Sequence, residues 1–398
     1  CGMARLCVDL GRVNSKYDCV LGANLDPAVP VDRHVFIKRV RAWVNADGFL
    51  SPLNFTNLAS FTPGSPAVWQ FVANAGDGRT VEIELRAEML PDLNTVELQF
   101  RRPTEQSAHG KQLPASADVR ITVRCDIEDR NFHSETKRNG GADYHFSSNS
   151  RPVQNGVGFE FTPASDRQLH VFADCGVYHP QPEWCENILH PVEQSRGQTG
   201  SGDAYSPGWF ELPLAKGATA ILTATAELEC RAPSRLESEV CRELAGTVPG
   251  APFVTLLLYA AKQFVVRRDA GKTVIAGYPW FLDWGRDSLI CARGLLAAGM
   301  REEVKQLLLT FAKFEKDGTL PNTIHGNDVS NRDTTDAPLW FAVVCEDLRD
   351  EKFFDVVADS SGRTIRAVLT SIAGNYARGT PNGIRMDPGS ALIWSPSH

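Results

Sequence analysis

The hydrophobic rhythm of this chain changes once, near residue 235, and no other feature limits its fold as strongly. Before that point apolar residues alternate with polar ones, as in TVEIELRAEM (80–89), NTVELQF (94–100), DVRITVRC (118–125), GVGFEF (156–161) and ATAILTATAEL (218–228). Alternation at period two marks strands with one buried face. The breaks NAGDG (74–78), RNGGA (138–142) and AKG (215–217) read as turns, because Gly and Asn adopt positive φ at little cost. Many strands with short turns and no intervening helices predict an antiparallel β-sandwich. The polar stretch 185–208 is expected to be a long surface loop.

Beyond residue 235 the period becomes helical. Phe253, Leu256, Leu257, Ala260, Ala261, Phe264 and Val265 form one stripe, Val304, Leu307, Leu308 and Phe311 a second, and Ile365, Val368, Leu369, Ile372 and Tyr376 a third. Loops rich in Gly, Pro, Asn and Asp join these helices and leave no room for strands, so an all-α unit is expected. The predicted domains are 1–235 and 236–398, with APSRLESEVCRELAGTV (232–248) as a connecting helix.

At 398 residues the chain exceeds the usual size of a single hydrophobic core. Its net charge of −7, with no basic stripe, argues against nucleic acid as a partner. No apolar run reaches the roughly 20 residues that cross a bilayer, and the first thirty residues lack the pattern of a signal peptide. With ten scattered cysteines read as reduced thiols, the expected location is the cytoplasm and no membrane partner is expected. His325 has no second ligand at helical spacing and reads as a loop hydrogen-bonder, so neither a metal nor another cofactor is expected. The chain opens on Cys1 and stops at ALIWSPSH, ends that read as those of a piece of a longer protein.

Chemistry is expected where loops enter helices. In GYPWFLDWGRDSLICARGLL (277–296), Asp287 shares a stripe with Ile290, Cys291, Gly294 and Leu295, so its carboxylate is predicted to face inward. An N-cap role would account for Asp287 but not for Arg286 or for Tyr278, Trp280, Phe281 and Trp284. Aromatic faces stack on sugar rings, and a guanidinium beside a carboxylate grips neighbouring hydroxyls, so the segment points to a polyol site. In SNRDTTDAPLWF (330–341), Asp336 aligns with Leu339, Trp340, Val343 and Val344, and Asp333 is a candidate cap. Between them DGTLPNTIHGND (317–328) carries Asn322 in a turn-rich loop. Asp387 precedes a proline and reads as a turn residue.

These stretches, AGYPWFLDWGRDSL (276–289), GTLPN (318–322) and TTDAPLWF (334–341), behind KYDCVLGANLDPAVPVDRHVF (16–36), resemble bacterial glycogen debranching enzymes and, within them, the amylo-α-1,6-glucosidase portion. The resemblance implies a β-sandwich followed by part of an (α/α)6 toroid related to glucoamylases, and inverting hydrolysis of α-1,6-linked glucose at branch points of glycogen or another branched α-glucan. It assigns Arg286 and Asp287 to glucose hydroxyls, Trp280 and Trp284 to the pocket wall, and Asn322, Asp333, Asp336 and Trp340 to the loops that complete it. The family's general acid lies in a W-M-D stretch and its base past T-P-R-x-G-x-x-V-E-I. Neither stretch occurs here, and GSALIWSPSH resembles the segment leading to the first, so this chain alone is expected to be inactive. Apart from the family, Asp336 is the residue to nominate as general acid, since burial raises a carboxyl pKa. Competing readings are a glucoamylase-like exo-glucosidase, a glycoside phosphorylase, or a non-catalytic carbohydrate-binding protein.

Overall fold

The structure is a computed structural model that describes residues 2–105, 110–227, 252–279 and 281–396. It divides into two compact units: Gly2–Leu25 with Arg33–Val248, and Asp26–Asp32 with Pro249–His398 and Cys1. The boundary expected at 235/236 and the connecting helix at 232–248 lie outside the described residues.

Among the described residues, the first unit holds two nine-stranded sheets. In one, Met3–Arg5, Cys19–Asn24, Arg33–Ala46, Val119–Asn131, Ser201–Ser206 and Glu183–Leu189 lie side by side, with Phe49–Pro52, Trp209–Pro213 and Val177–His179 flanking this path. In the other the order is Ser150–Pro152, Val157–Ala164, Arg167–Ala173, Thr219–Thr225, Thr95–Arg101, Arg79–Met89, Ala67–Asn74 and Leu58–Thr62. All described pairings are antiparallel except that of Lys111–Gln112 with Arg79–Met89.

Period two does what it predicts. Val119, Ile121, Val123 and Cys125 are buried while Arg120, Thr122 and Arg124 are not. Val44, Ile121 and Val123 of one sheet join Ile83, Phe100 and Leu222 of the other in one apolar core. Each such side chain contributes roughly 1.5–3 kcal/mol when taken out of water.

Two expectations for this half fail. RNGGA is no turn: Asn139 accepts a hydrogen bond from Ala142 N and caps helix α1 (Gly140–Asn149). The cap satisfies a backbone N–H that a tight turn would leave free. Nor is 185–208 a loop, since it holds most of strand Glu183–Leu189, helix α2 (Pro191–Ser195) and strand Ser201–Ser206. Polar Asp203 and Ser206 are buried there, and Asp203 accepts hydrogen bonds from Arg138 N and Asn187 N. Satisfied polar groups can be buried, and they hide the alternation.

The second unit contains α3 (Phe253–Phe264), α4 (Gly285–Ala297), α5 (Arg301–Ala312), α6 (Ala337–Asp347) and α7 (Ile365–Arg378). Helix α4 packs against α5 and α6, and α5 against α7. Leu289, Leu308, Phe311, Phe341, Val344, Ile365 and Ile372 form their common core. Thr364 caps α7 by accepting from Ala367 N, and Gly379, at φ +126°, ends it by donating to the Asn375 carbonyl. The stripe of α5 is buried as its periodicity predicts, and so is that of α7 apart from the half-buried Leu369. That of α3 is only partly so: Ala261 and Val265 pack against the core and the Phe264 ring meets that of Tyr278, but Phe253, Leu256, Leu257 and Phe264 are exposed.

The unit is not strand-free either. Val265–Arg268 pairs with Gly271–Val274, Asp283–Trp284 with Thr323–Ile324, and Arg385–Met386 with Ile393–Trp394. Strands of two to four residues are too short to show a period. Among the described residues no helix is long and apolar enough to cross a membrane.

Candidate functional site

The segment FLDWGRD is fixed from beneath by a buried ion pair. The Arg268 guanidinium grips the Asp283 carboxylate through Nε–Oδ2 at 2.5 Å and Nη2–Oδ1 at 2.9 Å, and its remaining nitrogen donates to the Gly326 carbonyl. Both side chains are 1% exposed. Burial pushes the Asp283 carboxyl up, and the guanidinium works against that shift. Three segments that are distant in sequence are thereby tied together.

Trp284 then pairs with Thr323, and Gly285 N donates to the Asn322 carbonyl at 2.9 Å. Gly285 is required by this approach: a Cβ there would lie 2.5 Å from the Pro321 carbonyl oxygen and 3.1 Å from Ala337 Cβ. Glycine thus lets the start of α4 touch both the LPN loop and the start of α6.

Arg286 follows in the first turn of α4, and its Nε meets Asp336 Oδ2 at 2.6 Å. Asp336 occupies the N-cap position of α6, yet its side chain makes no cap hydrogen bond. Capping falls to Thr334, whose hydroxyl accepts from Ala337 N at 3.4 Å and donates to Asp336 Oδ1 at 3.1 Å. Desolvation raises the Asp336 carboxyl, but hydrogen bonds from Arg286 and Thr334 outweigh it and hold the group below its ordinary range. The burial on which its nomination as general acid rested is only partial, and the hydrogen bonds favour its ionised form.

Thr335 links these residues to the last described segment. Its hydroxyl meets Ser395 Oγ at 2.5 Å, and its carbonyl accepts from Tyr376 Oη at 2.5 Å. Asn382 donates to the Arg332 carbonyl and accepts from the Thr380 hydroxyl. Together these contacts enclose a cleft of about 340 Å³ walled by Arg286, Asp333, Thr334, Thr335 and Asp336 on one side. Asn382, Ile384, Ser395 and Pro396 complete it.

Of the residues nominated from sequence, Arg286, Asp333 and Asp336 line this cleft. Asp333 is exposed and is not the cap. Asn322 joins through its backbone. Asp287 is exposed, which corrects the inward orientation predicted for it. The buried face of α4 is Gly285, Ser288, Leu289, Ala292 and Leu295, whereas Ile290 stays 44% exposed. Small residues allow close packing, as where the Ser288 hydroxyl reaches the Val274 carbonyl, and a stripe counted from large apolar residues misses that face.

Trp284 is half-buried, and Trp340 packs beneath the Arg293 guanidinium, 5.8 Å from its ring centre. Neither is among the cleft-lining residues. Trp280 lies outside the described residues. Asp387 behaves as a turn residue, accepting from Gly389 N and Ser390 N. Thr335, Asn382 and Ser395 were not legible as site residues, because they meet only through tertiary proximity.

Residues 2–221 match the family model of the glycogen debranching enzyme N terminal, and residues 259–398 match that of amylo-alpha-1,6-glucosidase. Among solved structures, a bacterial glucoamylase complexed with acarbose aligns at 12% identity with a TM-score of 0.47, over 96% of this chain and 60% of that one. The chain therefore spans about three fifths of that protein's length. Heparan sulfate lyase HepC from Pedobacter heparinus aligns at 9% identity with a TM-score of 0.24, over 44% of this chain and 22% of that one. No curated protein matches significantly.

Proposed function

The chain belongs to the glycogen debranching enzyme family, and from that premise we propose that it serves the hydrolysis of α-1,6-linked glucose at the branch points of an α-glucan in the cytoplasm. Helices α3 to α7 are then part of an (α/α)6 toroid, and the cleft is the place where the non-reducing glucose is held.

The observation that carries this reading is the Arg286–Asp336 pair. It joins two motif segments in one cleft, and it is open to a ligand, with side chains 55% and 35% exposed. A planar guanidinium against an ionised carboxylate offers donors and acceptors side by side, the pattern that vicinal hydroxyls of a pyranose satisfy. Asp287, one residue further along α4 and exposed, and Asp333, at the cleft wall, supply further acceptors.

Inverting hydrolysis needs a protonated carboxyl and an ionised one about 6.5–9.5 Å apart. Asp336, committed to Arg286, serves binding in this reading, and the acid and base are other carboxylates. Glucose release by the natural gene product tests the reading: it should be faster from a branched limit dextrin than from a linear maltooligosaccharide. Equal or reversed rates would favour a glucoamylase-like exo-glucosidase.

A further inference from the structure

The first unit carries two indole rings on the outer face of a sheet. Trp43 pairs with Thr122 in the next strand, and Thr122 with Glu211 in the one after, so these three side chains leave the same face. Trp209, two residues before Glu211, shares it. The face is turned away from the core, since Val44, Ile121, Val123 and Phe210 on the other side are buried together. Both indoles are part-exposed. Two strand spacings across and one two-residue step along put their Cα atoms about 12 Å apart. Thr122, a small side chain, adjoins Trp43 directly and Trp209 on the diagonal.

Each ring is held in advance. The Arg41 guanidinium lies 5.7 Å from the Trp43 ring centre. His179, the cross-strand partner of Trp209, stacks on its indole with 3.9 Å between ring centres and 18° between planes, and Trp209 Nε1 donates to Gln181 Oε1 at 3.0 Å. Rings fixed in this way cost a ligand little ordering. The charges around them are already matched: Arg39 and Arg41 meet Asp126, Arg124 meets Glu183, and Arg120 meets Glu211. An anionic polymer or headgroup finds no uncommitted cation in these four arginines. An apolar protein surface would have to desolvate the same ion pairs.

We propose that the Trp43–Trp209 face is a surface site for a neutral glucan chain, separate from the cleft, which lies in the other unit. Pyranose faces lie on the two indoles, and the hydroxyls at their rims exchange hydrogen bonds with the carboxylate, guanidinium and amide groups around them. The choice of an α-glucan rests on the reading of the chain as a debranching protein. Engaging a second chain of one branched polymer raises affinity for glycogen above that for a short oligosaccharide, which reaches a single site.

Native electrophoresis of the 398-residue chain through gels with and without glycogen tests this, beside titration with maltose. Glycogen should retard the wild type. Trp43→Ala and Trp209→Ala should each raise the dissociation constant for glycogen roughly three- to tenfold and leave maltose affinity at the cleft unchanged. Thr122→Gln, which keeps both rings but fills the space beside them, should weaken glycogen binding to the same degree at an unchanged melting temperature. That variant decides the matter wherever a tryptophan change lowers stability. Asp336→Asn should weaken maltose binding and keep a retardation that adding Thr122→Gln removes. Wild-type retardation in Thr122→Gln and in both tryptophan variants overturns the surface site while the cleft stands, as does a wild type that binds maltose without being retarded. Retardation lost in the tryptophan variants of a chain that binds no maltose keeps the surface site and removes the cleft reading. A dimer that forms without glycogen and is dissolved by Thr122→Gln gives the face to a second copy and overturns the proposal.

Discussion

Two arginine–aspartate pairs each use one residue of the segment Asp283–Arg286, and they have opposite surroundings. Arg268–Asp283 is sealed, bidentate and further tied to the Gly326 carbonyl. Arg286–Asp336 is a single close contact, part-open to solvent, in the wall of a cleft. A pair sealed inside the protein has no face open to a ligand, and its worth is in holding segments together. A pair with unused donors and acceptors facing a cleft has little structural worth and considerable binding capacity.

The largest expected effect sharpens the sealed side of this comparison. Removing one partner, by Asp283→Ala or Arg268→Met, leaves a charge buried without compensation and should cost about 3–5 kcal/mol, read from urea unfolding of the purified chain. The double variant Arg268→Met/Asp283→Leu should recover most of that loss. A single variant as stable as the wild type would mean that the pair does not clamp the segment.

Next in size is Gly285→Ala. The added carbon meets the Pro321 carbonyl and Ala337, and the strain should cost roughly 1–3 kcal/mol. Alanine at the neighbouring exposed position, Asp287→Ala, should change stability by under ~0.5 kcal/mol. Equal effects at the two positions would show that α4 does not approach the LPN loop as closely as described.

On the open side, Asp336→Asn should change stability by less than ~1 kcal/mol, because the pair is largely solvated. The same change should weaken maltose binding about tenfold or more, the loss of a charge-assisted contact. A large stability loss with unaltered binding would reverse the roles assigned to the two pairs.

The smallest effect is one of pH. Hydrogen bonds from Arg286 and Thr334 hold the Asp336 carboxyl below its ordinary value, so its ionised form, and the binding it supports, is present above the usual carboxylate range. Maltose affinity should therefore be flat between about pH 5 and 7 and decline only as pH drops below about 4. A decline centred near neutral pH would point to a different group in the cleft.

Much of this architecture is legible in the residues themselves. Val119 to Cys125 alternate cleanly because one face of their strand is core and the other is not, and Val304 to Phe311 repeat at helical spacing for the same reason. Legibility fails where burial is not apolar, as at Asp203, whose carboxylate is satisfied by backbone N–H groups. It fails again where packing rests on small residues, as on the Gly285–Ser288–Ala292 face of α4. In the cleft, Arg286 and Asp336 stood out as charged residues in aromatic or apolar company. Asn382 and Ser395 carried no such mark, since hydroxyls and amides are ordinary in loops and only folding brings Ser395 to Thr335. Asp283 was overlooked although it sits inside the quoted motif, because its partner Arg268 lies fifteen residues upstream on a strand too short to be recognised.

The claim on which the others depend is that the Arg286–Asp336 pair grips a glucose. A crystal of the chain soaked in maltose measures it directly. The account predicts a pyranose in the cleft with hydroxyls within hydrogen-bond distance of the Arg286 guanidinium and the Asp336 carboxylate. An empty cleft with maltose bound elsewhere on the chain would contradict it.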